Sequence, residues 1–224
     1  MRSIVITTTV WLMATTSSLT GSEAAAQGFE EVTFATPDGG TIHANLYGSG
    51  SHALLLAHGA VFDKESWHDQ AVALSDQGLR VLAIDFRGYG NSTAGDAGNA
   101  LYQDVLGGIR YLHEAGAERV SVLGASMGGG AVGQAAAVAE AGEINKLILL
   151  AAVPIATPER IQGDKLFIVA EGDSMRDAVE EQYERAGEPK VLTVLNGSAH
   201  AQHIFRSDRR GAELTEAIIA FLTD

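Results

Sequence analysis

Apolar positions along the chain fall into short runs separated by longer stretches of helical spacing. Residues 31–35 and 41–46 are β-rich and flank Pro37-Asp38-Gly39-Gly40, a turn sequence, which predicts a hairpin. Further β-type runs follow at 52–57, 80–84, 120–123, 146–150, 166–170 and 191–195. Helical stretches lie between them: 66–77, ended by Gly78; 99–115, with Leu101, Val105, Ile109 and Leu112 one turn apart and Gly116 as the stop; the small-residue stretch 127–141; 178–186; and 211–222. Strands apolar on both faces that alternate with helices predict an α/β fold. Its central sheet is mostly parallel and covered on both sides, with the N-terminal hairpin as an antiparallel edge. Residues 151–164 are the whole connection between two of the strands and contain Pro154 and Pro158, which resist helix. That leaves no room for an inserted lid, so a site at this edge should be open to solvent.

The first 26 residues do not continue the pattern. Arg2 precedes an apolar stretch over 4–14, then a Thr/Ser-rich segment that ends in Ala24-Ala25-Ala26. This reads as a secretory signal peptide cleaved after Ala26, leaving one globular domain over 27–224; the apolar run is well short of the roughly 18 residues of a membrane span. An exported protein, periplasmic or secreted, with no stable membrane insertion after cleavage is the expectation. Charge changes the picture further: 28 Asp and Glu against 15 Lys and Arg give −13. No window clusters enough Lys and Arg to neutralise phosphates, the densest being Arg206, Arg209 and Arg210, so nucleic acid is not an expected partner. The chain has no cysteine, which removes disulfides, thiolate metal sites and cysteine nucleophiles.

Gly124-Ala125-Ser126-Met127-Gly128 places G-x-S-x-G between an apolar strand and a helix. A nucleophile on such a sharp turn has a strained backbone, and side chains two positions away on either side would collide, which calls for glycine at both. A glycine turn that merely packs a helix on a sheet would carry the same letters, so partners decide. A serine needs a base, and the base an orienting carboxylate, in the chain order Ser, acid, His. Asp173 follows the run 166–170, with Glu171 and Asp177 as rivals for the acid; His200 lies five residues past the run ending at Leu195, with His203 as the rival base. A metal held by His200 and His203 lacks a nearby set of acids, and no metal or organic cofactor is expected. His58-Gly59-Ala60 follows the run 52–57, where a loop can offer backbone N–H groups to a developing oxyanion. The expected donors are the amides of Ala60 and Met127, the second reinforced by the helix dipole; His58 is expected to brace the loop.

On these residues the chain resembles the α/β-hydrolase superfamily: Leu54-Leu55-Leu56-Ala57-His58-Gly59-Ala60, Asp85-Phe86-Arg87-Gly88-Tyr89-Gly90-Asn91-Ser92, the G-x-S-x-G stretch, Glu171-Gly172-Asp173 and Ser198-Ala199-His200. The resemblance implies a serine hydrolase with Ser126 as nucleophile, His200 as base and Asp173 as acid, and a structural role for Asp85 and Arg87. The chain looks most like the small lidless members, including dienelactone-hydrolase-like esterases, which often carry Cys where this chain has Ser126. The acid loop is shorter than the commoner G-x-x-D arrangement, and Ala151-Ala152 occupy the alternative acid position. The expected reaction is hydrolysis of a small carboxylic ester through an acyl-enzyme. Activity should fall on acidification, because the base must be neutral. A thioesterase, amidase or acyltransferase would use the same residues, and a non-catalytic ligand- or partner-binding protein on this fold is the alternative of another class. The sequence leaves the substrate's identity and the oligomeric state open.

Overall fold

A computed structural model describes residues 28–224, Asp208 by its backbone alone; the expected leader, residues 1–26, lies outside them. The strands are β1 (Glu30–Ala35), β2 (Thr41–Tyr47), β3 (His52–Ala57), β4 (Arg80–Ile84), β5 (Arg119–Ala125), β6 (Lys146–Leu150), β7 (Asp164–Ala170) and β8 (Lys190–Leu195). They form a single sheet in the order β1-β2-β4-β3-β5-β6-β7-β8. β1 pairs antiparallel with β2 from Glu30 opposite Leu46 to Ala35 opposite Thr41, and β2 pairs antiparallel with β4; every later neighbour pair is parallel. The helices are α1 (His68–Ser75), α2 (Tyr102–Glu114), α3 (Met127–Val138), α4 (Arg176–Arg185) and α5 (Asp208–Thr223).

The central strands are apolar on both faces because both faces are covered. All six residues of β3 and all five of β6 are buried, and α2 and α3 pack on each other and on the middle of the sheet. Each fully buried Leu, Ile or Val contributes roughly 1.5–3 kcal/mol. β8, at the sheet's edge, leaves Val191 and Val194 exposed.

Several details differ from the periodic reading, and many other element ends shift by one to three residues. The stretch 66–77 divides into a 3₁₀ turn, Lys64–Trp67, and the shorter α1, because the Asp63 side chain caps the turn by accepting from Ser66 N–H at 3.1 Å. The helix read from residue 99 begins at Tyr102. Pro158, expected to resist helix, opens a 3₁₀ turn over Pro158–Arg160, where a missing N–H costs nothing at the first position. The connection 151–163 otherwise carries no helix or strand.

One buried ionic cluster ties the loops on which the site stands. Arg87, just beyond β4, donates through Nε to Asp104 Oδ1 at 2.8 Å, and through Nη1 and Nη2 to both carboxylate oxygens of Asp38 at 2.8 and 2.9 Å. Its backbone N–H donates to Asp104 Oδ2 at 2.9 Å. Asp38 belongs to the β1–β2 turn and Asp104 to the first turn of α2, so one guanidinium joins hairpin, β4 loop and helix. The structural role expected for Arg87 is the one observed. The same cation holds the Asp38 carboxyl well below the usual carboxylate range.

Removing one partner of a buried ion pair strands the others, so Arg87→Met should lower stability by about 3–5 kcal/mol, read from the urea midpoint. Because Asp38 has a lower pKa folded than unfolded, its pairing contributes fully above the ordinary carboxylate range and is lost as pH falls through the folded value. The variant should therefore show a flatter acid limb of stability against pH than the parent protein.

Candidate active site

Ser126 stands where β5 ends and α3 begins, with φ 51° and ψ −113°, a backbone state that costs a non-glycine residue about 1–3 kcal/mol. Three backbone bonds hold it. Ser126 N–H donates to Leu150 O at 2.9 Å, and Ser126 O accepts from Val153 N–H and Gly130 N–H, each at 3.1 Å. The crossing is so close that a Cβ on Gly124 would enter the carbonyl of Gly128, and one on Gly128 the carbonyl of Ala57 in β3. Glycine at both positions follows from that approach.

The acid and histidine loops are joined by backbone pairing that runs past the ends of β7 and β8. Glu171 N–H donates to Leu195 O at 2.8 Å and Gly172 N–H to Gly197 O at 2.7 Å. Asp173 is thereby set against His200, whose Nδ1 lies 2.9 Å from Oδ2 and 3.0 Å from Oδ1. Met175 N–H also donates to Oδ1 at 2.9 Å, which fixes the carboxylate plane. A ring nitrogen facing a carboxylate carries the proton, so in the neutral ring Nε2 is the acceptor, and it lies 2.8 Å from Ser126 Oγ. The Asp173 side chain is fully buried while that of His200 is 36% exposed, so the carboxylate is shielded and the imidazole stays within reach of water.

The structure thus brings Ser126, His200 and Asp173 into one chain of hydrogen bonds and leaves their rivals outside it. Glu171 is exposed and lies 4.0 Å from the Arg176 guanidinium; Asp177 is exposed; His203 packs on the Phe62 ring, centroids 4.9 Å apart, with Arg206 over the same ring. Among the described residues no three His, Cys, Asp or Glu side chains are grouped as metal ligands.

The Met127 N–H opens α3, where the first four amides lack intrahelical partners and the helix dipole presents its positive end. The Ala60 amide is aimed by its neighbours. Gly59 O accepts from Phe62 N–H at 3.0 Å and faces His58 Nδ1 at 2.9 Å. The peptide is planar and trans, so holding that carbonyl holds the Ala60 N–H pointing the opposite way. His58 is completely buried, and burial lowers its pKa from the ordinary histidine value, which keeps the ring neutral. Its Nε2 accepts from Phe86 N–H at 3.2 Å, so Nδ1 carries the proton and donates to Gly59 O. Tyr89 Oη donates to Ala60 O at 2.9 Å.

A shallow cleft of about 300 Å³ runs along α3 from Met127, lined by Leu101, Gly130, Gln134, Val153 and Ile155 among others, with no charged side chain in its lining. Gln182, buried in α4, braces its far wall: Oε1 accepts from Ile155 N–H at 3.0 Å, and Nε2 donates to Ala152 O at 3.4 Å. The sequence reading missed Tyr89 and Gln182. Tyr89 lay inside a quoted motif but without a role; for Gln182 no signal exists, because one amide in a polar helix reads as solvated until its neighbours are known.

Residues 52–179 match the family model described as the alpha/beta hydrolase fold. The chain is 30% identical over 142 residues to a non-heme haloperoxidase of Rhodococcus erythropolis, covering 63% of this chain and 52% of that protein. It is 34% identical over 116 residues to the dihydrolipoyllysine-residue acetyltransferase component of an acetoin cleaving system from Cupriavidus necator, covering 52% of this chain and 30% of that protein. The chain therefore spans about half or less of the length of these curated relatives. In fold it is similar to an esterase of Pyrococcus furiosus, with TM-score 0.75, 18% identity and coverage of 89% of this chain and 94% of that one. A dienelactone hydrolase of Anabaena variabilis gives TM-score 0.72, 19% identity and coverage of 88% and 98%. With the family model matching more than half of its length, from the buried strand β3 through the elbow at Ser126 to the acid loop, this chain belongs to the alpha/beta hydrolase family.

Proposed function

We propose that this protein is a serine hydrolase that cleaves small, uncharged carboxylic esters through an acyl-enzyme, with Ser126 as nucleophile, His200 as general base and acid, and Asp173 as the carboxylate that orients it. The observation that carries this reading is the unbroken sequence of contacts from Asp173 Oδ2 through His200 to Ser126 Oγ at 2.9 and 2.8 Å. His200 Nε2 takes the hydroxyl proton as Oγ attacks the ester carbonyl. The carbonyl oxygen gains its negative charge between the amides of Ala60 and Met127, which are already oriented and so cost no reorganisation at the moment of reaction. Nε2 then returns the proton to the departing alcohol, and water repeats the sequence to release the acid.

An uncharged substrate is supported by the lining of the cleft beside Met127 and by the chain's net charge of −13, which repels anions at long range. The cleft's openness suits a small soluble ester. Export is inferred from the leader-like residues 1–26 and is tested separately, by N-terminal sequencing of the protein recovered from its native compartment.

The reaction is tested by fluorophosphonate labelling followed by intact mass and peptide mapping. A single adduct on Ser126, absent from Ser126→Ala, is expected; a folded protein that takes no adduct overturns the proposal in favour of a non-catalytic binding protein. A screen of ester, thioester and amide substrates then separates the reaction classes that share these residues. Among substitutions, His200→Ala and Asp173→Asn should lower kcat on the order of 10⁴-fold, whereas His203→Ala should stay within about threefold of the parent. The reverse ranking of the two histidines would show that the base is His203.

A further inference from the structure

Gln202 lies two residues beyond His200 in the 3₁₀ turn Ala201–Arg206 and is 4% exposed. Its Oε1 accepts from Gly59 N–H at 2.7 Å, and its Nε2 donates to Ser66 Oγ at 2.9 Å. Ser66 Oγ donates in turn to the Asp63 carbonyl at 2.5 Å. A single buried amide thus crosses from the loop that carries His200 to the loop that carries Ala60, and it is satisfied at both ends. Ala201 has φ 48°, a turn that sends the side chains on either side of it to different partners, His200 to Ser126 and Gln202 to Gly59.

We infer that Gln202 is a positioning residue for the oxyanion site, an inference that rests on the serine-hydrolase reading above. Gly59 has no Cβ and is the freest joint in its loop. Two peptide planes meet at its Cα. The plane towards Ala60 is held through Gly59 O by Phe62 N–H and His58 Nδ1, and the plane towards His58 is held through Gly59 N–H by Gln202. With both planes pinned, φ and ψ of Gly59 are set and so is the direction of the Ala60 N–H. Without the Gln202 oxygen, Gly59 keeps a buried, unsatisfied donor, and the loop relieves it by rotating about Gly59, which turns the Ala60 amide away from the oxyanion. Because Gln202 shares its turn with His200, the loop that carries the base also positions the oxyanion donor, while His200 keeps its own bonds to Asp173 and Ser126.

The decisive variant is Gln202→Met, which keeps the volume and removes both polar atoms. The number of reactive serines is first counted by exhaustive fluorophosphonate titration, and kcat per titrated serine is then measured on an activated short-chain ester. A role confined to stability lowers the titrated fraction and leaves kcat per site unchanged. A role in aiming the Ala60 amide lowers kcat per site by about 10–100-fold with KM within about twofold, because the interaction strengthens only in the transition state. The acid limb of the pH–rate profile should stay in place, since His200 keeps its partners. Ser66→Ala, which leaves the Gly59 bond but frees the other end of the amide, should shift kcat the same way by about 3–10-fold, and it decides the matter if Gln202→Met is insoluble. A kcat per titrated serine within twofold of the parent, or a loss confined to KM, overturns the inference while leaving the hydrolase reading intact. A parent protein that neither labels nor turns over any acyl substrate overturns that reading, and this inference with it.

Discussion

The crossing of helix α3 over the carboxyl ends of the central strands is the constraint on which the rest of the structure depends. Gly128 lies so close to the Ala57 carbonyl, and Gly124 to that of Gly128, that the helix must leave β5 through a residue whose backbone no ordinary turn would supply. That residue is Ser126, at φ 51°, and its strain is offset by bonds to Leu150, Gly130 and Val153. Two consequences follow. The hydroxyl is lifted clear of the sheet, and the first free amide of the helix, Met127 N–H, stands beside it with the positive end of the dipole behind it. The hydroxyl proposed as nucleophile and the amide proposed as oxyanion donor are therefore products of one packing decision.

Around that fixed point polar bonds set how the loops are directed. The sheet beneath is a continuous apolar core, rigid because every face of β3 and β6 is covered. Above it, Arg87 joins the hairpin turn to the start of α2, Tyr89 from the same loop reaches the Ala60 carbonyl, His58 holds the Gly59 carbonyl, and backbone pairing beyond β7 and β8 sets Asp173 against His200. Directional bonds suit this task. Apolar contact has no preferred direction, whereas a chain of hydrogen bonds from carboxylate to imidazole to hydroxyl weakens steeply as its links bend, and a displacement of about 1 Å can cost on the order of 100-fold in rate. Burial of Asp173, His58 and Gln202 strengthens their bonds by keeping water from competing for them.

The short connection after β6 leaves the cleft beside Met127 uncovered, and its wall is braced from below by Gln182. An uncapped site of this kind has its shape set by the scaffold. On the proposed esterase reading, discrimination between substrates falls to the few side chains along α3 and residues 153–156.

The sequence by itself determined what depends on local order. Runs apolar on both faces and alternating with helices read as interior strands of a covered sheet, glycines two residues either side of a serine between strand and helix read as a close crossing, and a carboxylate and a histidine following successive strands fall at the same edge of a parallel sheet, since all such strands point one way. The residues alone left Glu171 and Asp177 open beside Asp173, and His203 beside His200, because candidates a few residues apart differ only in which way a loop turns; it was the family resemblance that singled out Asp173 and His200. Backbone pairing between Gly172 and Gly197 settles that turn. Lys64–Trp67 separating from α1, Pro158 opening a 3₁₀ turn, and the bonds made by Tyr89, Gln182 and Gln202 were likewise decided only by tertiary structure. The bond from Gln202 to Gly59 spans 143 residues of chain, and no pattern within either segment encodes it. Local spacing selects elements through their own hydrogen bonds and hydrophobic faces, whereas a contact between distant loops exists only once the sheet has set their separation.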